Sequence, residues 1–246
     1  MSDKLFIPSE FCTKNENSLI RDHLNFNKEH GMEGMVSVLH MRKDGFREIL
    51  PPTHNHIVCT GRRWVMQAVT NRPYVDPSTN TTVVDQKNWT IEWFGVGDGG
   101  ALASSPNVPL DTPDSQVGLG HIIDIKPGTV PSGMSHMYTT ASGTHRKRIK
   151  CSGTSPHNSI IQMGYDSANS EVMMLIQLEL DYDDCPYGTS QASVAINELG
   201  LYASPTPTSD NDMTGNTSCV LFSRYTRPTI YKTSGDAYLF MWYIYF

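Results

Sequence analysis

Residues 237–246 (Ala-Tyr-Leu-Phe-Met-Trp-Tyr-Ile-Tyr-Phe) are apolar at every position, so an extended chain through them has no polar side. Ten residues are about half of the ~20 needed to cross a bilayer as a helix, and the aromatic content suits a strand. A strand apolar on both alternating faces belongs between two layers or between subunits. Left exposed, it would invite aggregation. The fold is therefore expected to enclose this segment, as a central strand or as an assembly interface, and to tolerate its truncation badly.

The rest of the chain supplies partners for such a strand. Residues 35–41 alternate as a strand, Asp44-Gly45 marks a tight turn, and residues 46–50 are a second short apolar run, which together predict a hairpin. Pro51-Pro52 is expected to stop it. Thr60 offers an N-cap for one short helix whose apolar stripe would include Trp64, Val65, Ala68 and Val69. Trp89, Ile91 and Trp93 fall on one face of a strand that runs into Gly95-Val96-Gly97-Asp98-Gly99-Gly100. Further strands are expected within 119–126, 148–151, 159–163, 172–180, 192–202, 220–225 and 238–246. With 19 glycines and 15 prolines in 246 residues, the separators are rich in turns. The pattern predicts a mainly β protein, an antiparallel β-sandwich or barrel-like domain with one short helix. Residues 1–32 are polar with isolated anchors Phe6, Ile7, Phe11, Leu24 and Phe26, and read as an extended N-terminal arm. The expected division is 1–56, arm and hairpin, and 57–246, sandwich domain.

Several function classes lose support on composition. A net charge of -6 gives no long-range pull towards nucleic acid or anionic membranes. The basic run at 145–150 reads as a solvated strand face. The five cysteines lack Cys-x-x-Cys spacing, so zinc-knuckle and redox motifs are unsupported, and no signal-peptide layout opens the chain. The Asn-x-Thr/Ser matches at Asn80, Asn88 and Asn216 are then chance. Gly95, Gly97 and Gly100 match a dinucleotide fingerprint, but Pro106, Pro109 and Pro113 interrupt the helix that must follow. His54 and His56 would share one side of an extended segment as a metal pair, with no acid or thiol close in sequence. The acids Asp181, Asp183 and Asp184 lack the spacing of a calcium loop. No nucleophile elbow is present, so no catalytic, cofactor or metal residue is assigned.

Four stretches in order carry a further pattern: Thr60-Gly61-Arg62-Arg63-Trp64-Val65, then Phe94 to Gly100 with Val108-Pro109-Leu110 after it, then Ile196-Asn197-Glu198-Leu199-Gly200-Leu201-Tyr202 ahead of Leu221-Phe222-Ser223-Arg224, and finally Ile230-Tyr231-Lys232-Thr233 with Trp242-Tyr243-Ile244-Tyr245-Phe246. This layout resembles tailed-bacteriophage virion structural proteins, and among them tail-collar fibre proteins, over residues 57–246. The insertion at 204–218 departs from that layout. The resemblance implies a non-enzymatic assembly protein of the virion, placed at the tail, neck or fibre attachment. Its partners would be copies of itself and neighbouring virion proteins, with a glycan as a further candidate and no membrane, and the net charge of -6 disfavours nucleic acid. Capsid decoration and a glycan-binding or depolymerising surface protein are the alternatives. The positions it singles out are a structural turn at Gly97, Asp98, Gly99 and Gly100, where the glycines would supply positive φ and Asp98 would bond nearby amides, and core or interface residues Trp64, Trp93, Glu198, Gly200, Lys232 and Trp242. An inward-facing Glu198 needs a cation, for which Arg224, Arg227 and Lys232 are candidates.

Overall fold

The computed structural model describes residues 34–73, 75–76, 81–82, 85–113, 115–116, 118–123, 125, 137–139, 145–149, 160–166, 171–182, 184–185, 192–205 and 219–245. The expected arm (1–32), most of the 204–218 insertion, and Lys150, Asp183 and Phe246 lie outside them. In chain order the elements are β1 (Gly34–Arg42), β2 (Arg47–Ile57), α1 (Cys59–Thr70), β3 (Val75–Asp76), β4 (Thr81–Thr82), β5 (Trp89–Gly97), β6 (Ala101–Leu102), β7 (Ser105–Pro109), β8 (Ile122–Ile123), β9 (Met137–Thr139), β10 (His145–Arg148), β11 (Ile160–Asp166), β12 (Glu171–Leu180), β13 (Val194–Pro205), β14 (Val220–Lys232) and β15 (Asp236–Tyr245). The protein is mainly β, with one helix among the described residues.

Eleven strands make a single antiparallel sheet in the order β11-β12-β15-β1-β2-β14-β13-β5-β10-β9, with β8 added beside β5. Among the described residues the sheet does not close on itself. Its centre follows from the sequence: β15, apolar from Ala237 onward, pairs with β1 on one side and β12 on the other, and Trp242, Phe240 and Ile244 are fully buried. One side of β1, β2, β5, β12, β13, β14 and β15 feeds one core, in which Val36, Phe94, Leu178, Leu199, Tyr225 and Trp242 meet. The opposite side carries smaller clusters, one of them Val58, Trp93, Tyr202 and Leu221.

The strands depart from simple alternation at bulges, which account for three corrections. Pro51-Pro52 does not stop β2: the strand runs on to Ile57, because Val36 pairs with Thr53 while Val38 pairs with Leu50, and both prolines sit in the irregularity. A bulge is where a strand tolerates a residue with no N–H to give. Pro228 lies inside β14 for the same reason, in the extra residues between Thr226, opposite Glu198, and Ile230, opposite Ile196. In β5, Trp93 pairs with Tyr202 but Ile91 with Ala203, so Glu92 is the additional residue and resets the alternation. Ile91 consequently shares the main core with Phe94, while Trp93 packs on the other side, instead of sharing a face with it.

Helix α1 lies against β14. Its N-cap is Val58 and not Thr60, whose hydroxyl instead donates to the Leu221 carbonyl at 2.7 Å. The buried positions are Gly61, where a Cβ would run into the Phe222 carbonyl, and Gln67, bonded to Gln86. Trp64 is half-buried and meets the Phe222 ring edge-on, but Ala68 and Val69 face solvent, so the buried stripe is shorter than the apolar spacing suggested. Asn71 ends the helix with φ +52°, a left-handed C-cap.

Candidate functional site

Glu198 stands where β13 crosses between β5 and β14, on the side of the sheet away from the main core, and it is 0% exposed. A carboxylate without water must find donors in the protein. Its Oε2 accepts from Arg224 Nε at 2.9 Å, Arg224 Nη2 at 2.5 Å and the Gly120 amide at 3.0 Å. Its Oε1 accepts from the His121 amide at 2.9 Å and the Gly99 amide at 3.2 Å. Of the three cations open from the sequence, Arg224 is the partner. Arg227 Nε donates to the Pro228 carbonyl, and Lys232 lies further along β14.

The glycine turn is built round this carboxylate. Gly97, Gly99 and Gly100 do not adopt positive φ; the one glycine among the described residues that does is Gly45, in the β1–β2 turn. They are glycine because the chain passes too close for a Cβ, which would meet the His121 carbonyl at Gly97, the His121 amide at Gly99 and the Asn197 carbonyl at Gly100, all inside 3.0 Å. Gly200 is similarly tight against Leu221, Leu119 and Tyr202. Asp98 was expected to hold the turn through backbone amides, yet its carboxylate pairs with the His121 ring, and Glu198 takes the amide role. Asn197 adds a second fastening: its Oδ1 accepts from the Gly100 amide at 2.6 Å and its Nδ2 donates to Thr229 Oγ1 at 3.1 Å. Thr226 Oγ1 donates to the Leu110 carbonyl and Thr229 Oγ1 to the Pro106 carbonyl, so the excursion between β5 and β8 is stitched down onto β14.

The His121–Asp98 pair is exposed. The hydrogen bond that its ring N–H donates to Asp98 raises the His121 imidazole pKa above its ordinary 6.5, and the Asp98 charge pushes the same way. Glu198 is different in kind. With two donors on one oxygen and three on the other, its roughly four lone-pair directions are taken. The hub is a fastener.

Beside the hub a cavity of about 330 Å³ is lined by His54, His56, Asp111, Thr112, Arg224 and Thr226. The ladder explains it: His56 is paired with Arg224, so His54, His56, Arg224 and Thr226 form a two-by-two array on neighbouring strands, rimmed by the 111–112 segment. The fold thus brings Asp111 to the histidine pair from a distance in sequence. Even so, no three His, Cys, Asp or Glu side chains gather as a metal-holding group among the described residues.

The remaining sequence-selected residues lie apart from the hub. Trp93 is buried and its Nε1 donates to Ser204 Oγ at 3.1 Å. Trp242 is in the main core with Nε1 unpartnered. Lys232 is fully buried, its Nζ reaching only the Thr233 carbonyl at 3.4 Å, and desolvation lowers its pKa against the partial support of Cys185, Asp184, Asp236 and Asp181. Missed in the sequence were Gly120 and His121, whose segment gave only the signal of a strand at 119–126, and Thr112, which follows the Val108-Pro109-Leu110 stretch. That strand shrinks to the two residues of β8 because the backbone before it is spent on Glu198. Comparison of the chain with protein-family models, curated proteins and solved structures finds no match.

Proposed function

We propose that this chain is a non-enzymatic structural protein of a tailed-phage virion, assembling through faces of its β domain at the tail, neck or fibre attachment. One observation carries the reading: the glycine turn, the Asn197-Glu198 segment, Gly200 and Arg224, on which the resemblance rests, meet in one buried cluster in which the Glu198 carboxylate and the Asn197 amide hold chain segments together. Residues selected for joining segments suit a scaffold.

We also read the sheet as coiled over itself into a sandwich-like or barrel-like unit. The Cys185 amide, in the turn after β12, donates to the carbonyl of Ile125, which follows the β8 strand beside β5. Five strands separate β12 from β5 along the sheet, so a contact between the segments that follow β12 and β8 supports a curled sheet. A single 12-residue helix covers far too little of a face this wide to bury it.

The test is mass spectrometry of purified virions from the genome that encodes the chain, with electron microscopy of particles made without it. The expected result is a fixed copy number per particle and incomplete assembly in its absence. Washed virions that lack the protein and assemble normally without it would overturn the proposal.

A further inference from the structure

We propose that the cavity beside the hub binds a compact oxyanion, a carboxylate or a phosphate, and that Arg224 is its anchor. The guanidinium is rigid before any ligand arrives, with its side chain 4% exposed and two of its nitrogens held by Glu198. Nε gives its one N–H to Glu198, and Nη2 serves Glu198 and the Gly99 carbonyl. Nη1 has one contact, Thr112 Oγ1 at 3.5 Å, at the outer limit of a hydrogen bond. Its two N–H groups are therefore the under-used donors on the cavity wall, in the planar geometry that suits an oxyanion.

The ion pair with Glu198 leaves the hub close to neutral, so the site would hold an anion by hydrogen bonds rather than by net charge. His54 and His56 add imidazole groups on the neighbouring strand and Thr112 adds a hydroxyl, while the Thr226 hydroxyl is given to the Leu110 carbonyl. Asp111 is the like charge on that wall, but it is exposed to water, which screens it. The volume is at the small end of the ~300–1,000 Å³ range of ligand sites. No Trp, Tyr or Phe ring lines the cavity, which argues against a saccharide stacked in it, and among the described residues no metal-holding group of three forms with the histidines. The inference is independent of the virion reading.

The experiment uses the full chain, followed by thermal unfolding and titration calorimetry with sodium phosphate and with sodium acetate, against sodium chloride at equal ionic strength. Substitution of Arg224 would unpair Glu198, so the variants are the double H54Q/H56Q and, separately, T112A, each checked for an unchanged circular dichroism spectrum. The expected result is a saturable rise in melting temperature with phosphate or acetate and not with chloride, and at least about tenfold weaker binding in the double variant. Saturation by phosphate assigns a phosphate-bearing ligand, and saturation by acetate a carboxylate such as an acidic side chain. No saturable effect, or one that both variants leave untouched, meaning an adventitious ion only, overturns the proposal. So does stabilisation by zinc that the double variant abolishes while both anions fail.

Discussion

Glu198 and Lys232 are both charged, both fully buried, and opposite in standing. Glu198 has five donors; Lys232 has one long hydrogen bond and, among the described residues, no carboxylate within ion-pair distance. Glu198→Gln would leave Arg224 buried without its counter-ion and turn an amide NH₂ towards existing donors, so urea denaturation should show a loss of about 3–5 kcal/mol. Lys232→Met should instead stabilise the protein, by about 1–3 kcal/mol, since the ammonium gains little for its lost hydration. The sign with pH agrees: a lysine whose folded pKa is depressed leaves the folded state holding fewer protons, so stability from this group rises as pH climbs from the folded pKa through 10.5, and the Met variant should lack that rise. His121 behaves inversely. Its pKa is raised, so the contribution of the Asp98 pair is fully present below pH 6.5 and fades as pH passes the folded value; ring titration by NMR checks the shift, and His121→Gln should remove the slope. At this scale the sequence placed Glu198 beside the buried strand residues Ile196 and Leu199 and showed that, facing inward, it would need a cation. It could not choose Arg224 among three cations, since the choice depends on cross-strand register. The glycines were recognised as necessary for the wrong reason, because close passage of another segment leaves no mark in a single sequence while turn chemistry does.

Elements were legible where alternation held and misread where bulges interrupted it. The β1–β2 hairpin turns at Asp44-Gly45 as the dipeptide signals, with Gly45 at φ +92°. β12, β13 and β15 lie within a few residues of their apolar runs. The extra residue in β5 sent Trp93 to the other side of the sheet, and the prolines of β2 and β14 hid continuous strands, because one irregular position reverses every side chain beyond it. The dense interior of β15 makes a firm prediction: Trp242→Ala should cost about 3–5 kcal/mol through lost burial and the cavity left behind, measured by chemical denaturation, with soluble yield falling in parallel. An undiminished midpoint would mean that Trp242 is not the core residue its burial indicates. Native-state hydrogen exchange should likewise find β15 amides among the slowest, as the strand is hydrogen-bonded on both edges.

For the whole molecule, composition and strand spacing were enough to identify a mainly β chain, but not the order of the strands. That order places β15 between β1 and β12, and puts His40 beside Asp236, 196 residues away, at 2.8 Å. During synthesis β1 emerges long before the strand that covers it. At the ~5–20 residues per second of translation, roughly 10–40 s pass with that apolar edge unmatched. The chain therefore completes its centre only once residues 236–245 have been made, which gives ribosome-associated chaperones a defined interval to guard and makes termination upstream of residue 236 a source of sticky, unfinished protein.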